Sequence, residues 1–71
     1  MRVDAYGREI ELCREAGDWQ VFDLGNEGKK RPARDIRIPR SITPEEVLVY
    51  LGDLLHEHAS ERYPDIRLLS R

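Results

Sequence analysis

The segment that begins at Thr43 constrains the fold more than any other part of the chain. Thr43-Pro44-Glu45-Glu46 places a hydroxyl at a helix N-cap, proline at the first helical position and glutamate at the third. Apolar positions then recur at helical spacing and form one stripe, which Pro64 ends. We predict an amphipathic helix that buries this stripe against another layer. The stripe comprises Val47, Leu48, Leu51, Leu54, Leu55 and His58.

The part of the chain before Thr43 alternates apolar and polar residues at the spacing of short β-strands. The apolar positions change parity at Gly7, which is either a tight hairpin or a bulge, and we prefer the hairpin. Ala16-Gly17-Asp18 predicts a turn, and Gly25-Asn26-Glu27-Gly28 breaks the strand pattern. The predicted strands cover residues 2–6, 8–14, 19–24 and 35–38, and residues 66–69 either add an edge strand or cover the core.

A sheet with one apolar face and a helix with one apolar stripe cover each other when they are stacked. The predicted fold is therefore a single α+β domain over residues 1–71. It consists of an antiparallel four-stranded meander, with an optional fifth strand at the C-terminus, and one amphipathic helix packed across one face. A chain of this length buries only about 60% of its unfolded surface. Domains this small are often stabilised by a disulfide, a metal or a second subunit. Because the chain has one cysteine, an internal disulfide is excluded, and we expect self-association to be the easiest of these to achieve.

The residue types that carry most catalysis and metal binding are scarce. Cys13, His56 and His58 are the only cysteine and histidine residues, whereas a zinc site needs about four ligands. The two histidines lie two positions apart and therefore point about 200° apart around a helix. We expect His58 to be partly buried on the stripe and Cys13 to be a half-buried structural thiol. The sequence predicts no enzyme, no cofactor and no metal site.

Charge is sharply segregated along a chain whose net charge is only −2. The segment 29–40 carries six basic side chains and one acidic side chain, and residues 41–61 carry five acidic and no basic ones. Gly28 and Pro32 indicate that the basic residues occupy a loop. This loop either docks phosphates, nucleic acid or an acidic protein, or forms a solvated edge that pairs with acids of the same domain. The basic residues are Lys29, Lys30, Arg31, Arg34, Arg37 and Arg40.

Three aromatic side chains are candidates for a partner surface if they stay exposed. They are Trp19, Tyr6 and Phe22, and we expect packing in the core or at an edge in preference. Trp19 joins the basic residues as a candidate for partner binding. No aromatic residue interleaves with the basic segment, and the chain as a whole is acidic, which argues against nucleic acid.

Three functions stay open at this level. The first is a non-enzymatic protein-interaction module that binds an unidentified protein or a second copy of itself. The second is binding of a polyanion through residues 29–40, and the third is a small metal-binding or enzymatic accessory protein. We expect a cytoplasmic protein, because the sequence has no membrane span, no hydrophobic signal core and a free cysteine.

Several short motifs are spread over most of the chain. They are Tyr6-Gly7-Arg8, Gly28-Lys29-Lys30-Arg31-Pro32, Ile38-Pro39, and the helical run from Tyr50 through Gly52 to Glu57. With these motifs the chain resembles a family of short bacterial proteins that share a domain of unknown function. The resemblance implies a bacterial cytosolic protein and no established activity, so it assigns no functional residue.

Overall fold

A computed structural model describes residues 1–25 and 29–70, which form one antiparallel sheet and one short helix. The sheet has five strands in the order β4-β3-β2-β1-β5. This arrangement confirms the α+β class and the fifth strand at the C-terminus. The strands are β1 (Arg2–Ala5), β2 (Arg8–Glu15), β3 (Asp18–Leu24), β4 (Lys30–Pro32) and β5 (Ile66–Ser70), and the helix α1 (Val47–Leu55) continues into a 3-10 turn, His56–His58.

Two-residue turns join the first three strands. Tyr6 and Gly7 have φ angles of 54° and 91°, and Ala16 and Gly17 have φ angles of 53° and 86°. Positive φ at both central positions matches the right-handed twist of the flanking strands, so such turns are favoured in tight hairpins. Gly7 therefore lies in a hairpin and not in a bulge. The change of apolar parity at Gly7 reflects the reversal of the chain.

The fourth strand does not lie where the sequence predicts it. Lys30–Pro32 pairs with β3, whereas residues 36–38 belong to none of the strands in the described part of the chain. The Ala33 N–H still donates to the Val21 carbonyl, but the Ile36 N–H donates back to the Ala33 carbonyl and turns the chain away from β3. Ile36 and Ile38 reach the core from this irregular segment, so their alternation reflects burial without strand pairing. Residues 26–28 of the predicted break lie outside the described residues.

The core forms on one face of the sheet, which we call the inner face. It holds the side chains of β1, β2 and β3 that point toward α1, together with one side of α1 and the segment 33–38. The opposite, outer face carries the alternate residues of each strand. The buried apolar residues are Val3, Ala5, Ile10, Leu12, Val21, Ala33, Ile36, Ile38, Val47, Leu51 and Leu55.

Helix α1 is shorter and buries a narrower stripe than the sequence predicts. The Glu46 carboxylate accepts hydrogen bonds from the Thr43 hydroxyl (2.8 Å) and the Thr43 N–H (3.2 Å), which lowers the pKa of Glu46. Residues 44–46 form a turn, and the helix itself begins at Val47. After Leu55 the chain tightens to a 3-10 turn, and this change of pitch leaves His58 exposed where partial burial was expected. Leu54 is also exposed.

Gly52 lies inside α1, although no neighbouring atom is close enough to require a glycine there. A Cβ built there would meet the Tyr6 hydroxyl oxygen at 3.7 Å and Ile66 Cγ2 at 3.8 Å, which are ordinary contacts. Alanine costs less conformational entropy in a helix than glycine does. We expect Gly52→Ala to raise the free energy of unfolding by about 0.5–1 kcal/mol, measured by urea denaturation.

Gly7→Ala is the matched control with the opposite sign. Gly7 has a φ of 91°, and its Cβ would lie 2.8 Å from the Tyr63 ring. We expect this substitution to lower the free energy of unfolding by about 1–3 kcal/mol. A loss of stability in Gly52→Ala would contradict the reading that only ordinary contacts surround that position.

Candidate functional site

The two edges of the sheet differ in their capacity to accept another strand. At the β4 edge, Gly25 donates to the Lys29 carbonyl (2.8 Å) and Ala33 donates to the Val21 carbonyl (2.9 Å). Hydrogen-bonded pairs alternate along an antiparallel ladder, so the backbone groups of Lys30 and Pro32 point outward. Proline has no N–H, and the strand is only three residues long. This edge is therefore blunted against further pairing.

The β5 edge, in contrast, presents a regular row of backbone groups. The Tyr6 N–H donates to the Asp65 carbonyl at 3.3 Å, and the next hydrogen-bonded pair on the ladder is Asp4 with Arg67. Ile66 lies between these two pairs and Leu68 follows the second one, both at non-hydrogen-bonded positions, so their N–H and C=O groups point away from β1. β5 is the last strand of the sheet on this side. It thus offers two donors and two acceptors to an incoming strand.

The side chains of β5 are mostly apolar. Ile66 and Leu68 are partly buried against the core, and Leu69 is 45% exposed. Arg67 points to the outer face, where its Nη2 lies 3.3 Å from an Asp4 carboxylate oxygen. The register with β1 shifts between Leu68 and Ser70, so Leu69 bulges out of the ladder.

The outer face of the sheet is lined by ion pairs. Arg2 lies 3.7 Å from Glu9, and Lys30 pairs with Glu11, which lowers the pKa of Glu11 and raises that of Lys30. Cys13 lies on this face and is exposed, so the expectation of a half-buried thiol is wrong. The reason is that the odd-numbered positions of β2 face away from α1.

A second polar feature lies on the inner side of the β1–β2 hairpin end, and the sequence analysis missed it. The Arg8 guanidinium donates to both carboxylate oxygens of Asp23 (2.6 and 2.9 Å) and to both of Asp35 (2.8 and 2.9 Å). These hydrogen bonds raise the pKa of Arg8 and lower that of Asp35 to about 2. The cluster joins the start of β2 to the end of β3 and to the turn after β4. Charged residues at inward-facing strand positions were the available signal.

A cavity of about 310 Å³ lies beside this cluster. The Tyr63 ring lies against Gly7 at one side of it, and exposed His58 lines another side. Because Asp23 and Asp35 already occupy the fork of Arg8, the arginine has little capacity left for an added anion. The cavity is lined by Ala5, Tyr6, Gly7, Arg8, Leu55, His58 and Tyr63.

The six predicted basic residues do not form one loop. Lys30 and Arg31 belong to β4, and Lys30 pairs with Glu11. Arg40 contacts Asp18 at 3.3 Å and donates to the Ala16 carbonyl at 2.8 Å, which holds it against the β2–β3 hairpin. The remaining four are exposed and lie within 4.0 Å of no carboxylate among residues 1–25 and 29–70. These four are Lys29, Arg31, Arg34 and Arg37.

Two of the three aromatic candidates, Trp19 and Tyr6, make hydrogen bonds within the chain, whereas Phe22 is partly exposed on the outer face, where Lys30 Nζ lies 5.0 Å from its ring centre. Trp19 is partly buried, its Nε1 donates to the Ile42 carbonyl at 2.8 Å, and the Arg14 guanidinium lies 5.0 Å from its ring centre. The Tyr6 hydroxyl donates to the Gly52 carbonyl at 3.1 Å. These contacts give Trp19 and Tyr6 roles in holding elements together.

The residues of the suggested metal site do not converge. The His56 Nδ1 lies 2.8 Å from the backbone carbonyl of Asp53, not from its carboxylate. Within the described part of the chain, no three histidine, cysteine, aspartate or glutamate side chains are placed to hold a metal ion. Among the same residues, no helix is long and apolar enough to cross a membrane.

The Arg8 cluster predicts a specific pH dependence of stability. The carboxyl of Asp35 has an ordinary pKa of 3.8, which the folded state lowers to about 2. Its contribution is complete above 3.8 and is lost as the pH falls toward 2. Asp35 is largely exposed, so we expect Asp35→Asn to cost at most about 1 kcal/mol at neutral pH. This cost, measured by urea denaturation, should shrink as the pH falls through that window. A cost independent of pH would contradict the assignment.

Comparison with known proteins gives one match. The family described as a domain of unknown function, DUF7661, matches residues 1–70. The match includes every strand and the helix described above. No curated protein and no solved structure matches the chain. With almost its whole length matched, the chain belongs to the DUF7661 family, a domain of unknown function.

Proposed function

We propose that this protein is a non-enzymatic interaction module that binds an extended polypeptide segment along the free edge of β5. The observation that carries the proposal is the outward row of N–H and C=O groups on Ile66 and Leu68. Strand addition uses such groups for affinity and the alternate side chains for specificity.

The rest of the sheet supports β5 as the binding edge. Pro32 blunts the opposite edge, and ion pairs cover the outer face with charged groups that stay solvated. Of the two sheet edges formed by residues 1–25 and 29–70, β5 is therefore the one that offers an incoming strand an uninterrupted pair of backbone partners. The partner is another protein or a second copy of this chain.

The chemistry of the exposed side chains also fits a binding role better than an enzymatic one. Cys13 lies on the outer face, whereas His58 borders the cavity on the helix side. A thiol and an imidazole in these places do not act together as nucleophile and base. The exposed free thiol of Cys13 favours a reducing compartment, so we propose the bacterial cytoplasm as its location.

A peptide screen tests strand addition directly. Peptides of about ten residues are selected for binding to the wild-type protein and then measured on two variants. Leu68→Pro removes the outward N–H of Leu68 without removing a hydrogen bond to β1. Leu68→Ala also loses the leucine side chain but keeps that N–H, so it controls for the loss of the side chain. We expect Leu68→Pro to weaken binding about 10-fold relative to Leu68→Ala, from the lost hydrogen bond and the steric block.

The result that would contradict this function is equally clear. Selected peptides that bind Leu68→Pro and Leu68→Ala equally would show that the β5 edge is not used. A screen that selects no peptide would count against the proposal in the same way. Lys30→Pro, at an outward N–H on the other edge, serves as a second control and should leave binding unchanged.

Binding of a polyanion is a second candidate, favoured by one observation. Lys29, Arg31, Arg34 and Arg37 are exposed and lack a carboxylate partner among the described residues. Four phosphate contacts to a single strand would give a slope of about −3 in log K against log salt.

Fluorescence anisotropy with a labelled single-stranded oligonucleotide tests this candidate. Changing these four residues to alanine should abolish binding at about 50 mM salt. The control variant Arg2→Ala/Arg62→Ala loses charge elsewhere and should lower the affinity less. Absence of binding by the wild type at that salt would exclude the polyanion function.

A further inference from the structure

The side chains of β5 define the chemistry of the segment that this edge can accept. We infer that the partner is a different protein whose extended segment places an acidic residue opposite Arg67 and apolar residues opposite Ile66 and Leu68. The inference rests on the proposed strand addition and specifies its partner. It is argued for antiparallel pairing, because every pair of strands in the sheet is antiparallel.

The faces of β5 follow from its pairing with β1. Residues directly opposite each other in an antiparallel pair point to the same side of the sheet. Ile66 and Leu68 lie opposite Ala5 and Val3, which are buried on the inner face. Arg67 lies opposite Asp4 and points to the outer face. An incoming strand therefore meets apolar groups on one side and a guanidinium on the other.

On the inner side, the partner would extend the core. Ile66 Cγ2 lies 3.8 Å from the position of a Cβ on Gly52, so α1 stands directly over β5 there. Leu48 lies one helical turn before Gly52 on the same side of α1, and it is partly buried. Apolar side chains opposite Ile66 and Leu68 would pack beside them and remove further apolar surface from water.

On the outer side, Arg67 requires a complementary charge. Its side chain is 68% exposed, and its contact with Asp4 is a single one at 3.3 Å. Asp4 also accepts a hydrogen bond from the Gly7 N–H at 2.7 Å. A guanidinium has five N–H donors, so most of those on Arg67 stay available to a second carboxylate. Strand β1 already shows the complementary pattern, because Val3-Asp4-Ala5 lies opposite Leu68-Arg67-Ile66.

A second copy of this chain fits the edge poorly. Pairing Ile66 of one copy with Leu68 of the other uses all the outward groups, but it sets Arg67 directly opposite Arg67. Like charges at opposite positions destabilise a pair of strands. Centring the pair on Leu68 avoids this repulsion but draws in the bulge at Leu69, which interrupts the outward row. Centring the pair on Ile66 sets Arg67 opposite Asp65 of the other copy, but it also sets Leu68 opposite Pro64. Because proline has no N–H, the outward Leu68 carbonyl then lacks a donor, so none of these registers of a second copy uses the whole row without repulsion.

Two labelled peptides of about ten residues test the inference. They are identical except for a central Val-Asp-Val in one and Val-Lys-Val in the other. We expect the aspartate peptide to bind the wild-type protein about 10-fold more tightly by fluorescence anisotropy. Backbone amide shifts should change at Ile66 and Leu68 on binding. In Arg67→Ala, an exposed position, the two peptides should bind with similar affinity.

Each alternative outcome separates this inference from the proposed function. Equal affinities for wild type would overturn the inference while strand addition survives, provided that Leu68→Pro still weakens binding. A species of twice 8.3 kDa in light scattering that Leu68→Pro converts to a monomer would overturn it in favour of a second copy. If neither peptide binds, the inference fails, and the peptide screen decides whether strand addition fails with it.

Discussion

The structure depends on the burial of one face of the sheet beneath a single short helix. Val47, Leu51 and Leu55 form one core cluster with the inner residues of β1, β2 and β3, and Ile36 and Ile38 belong to the same cluster. At about 25 cal/mol per Å² of apolar area, this burial is the main favourable contribution to folding. One helix of nine residues covers one face only. The other face must therefore be stable in water, and its strands alternate accordingly.

Ion pairs outside the small apolar core connect the strands further. On the outer face, oppositely charged residues pair between neighbouring strands, and Lys30 of β4 reaches across β3 to Glu11 of β2. These pairs satisfy the charges while they stay hydrated. At the hairpin end, Arg8 lies at an inward-facing position but beyond the apolar core. Two carboxylates, Asp23 and Asp35, surround it and hold β2, β3 and the turn after β4 together. Of the charges in the two segregated segments, 29–40 and 41–61, only Lys30, Asp35 and Arg40 take part in ion pairs among the residues that the structure describes.

The two edges of the sheet differ in whether they can pair with another strand. A five-stranded open sheet has two edges, and here one ends in a short strand with an outward proline while the other ends in β5. Natural sheets protect their edges against unwanted pairing with such devices. The bulge at Leu69 limits the open row to Ile66 and Leu68, and Arg67 adds a charge between them. β5 is therefore selective in what it can accept.

The sequence by itself determined the class of fold and most of its local elements. Helical spacing after Thr43 and strand alternation predicted α1 and the first three strands, because these features depend on local backbone preferences and on which face is buried. At Gly7 the sequence favoured a hairpin but left a bulge open, and the structure decided for the hairpin. The segment 35–38 shows where this reasoning ends. Ile36 and Ile38 alternate as a strand does, but alternation reports burial and does not specify a hydrogen-bonding partner.

Only the tertiary structure decided which distant groups meet. The contacts of Arg8 with Asp23 and Asp35, and of Trp19 with Ile42, join residues far apart in sequence, so no local pattern encodes them. The exposure of Cys13 and His58 follows from which face α1 covers and from the change of helical pitch after Leu55. The status of β5 as the free edge follows from strand order, which is set by the packing of the whole chain.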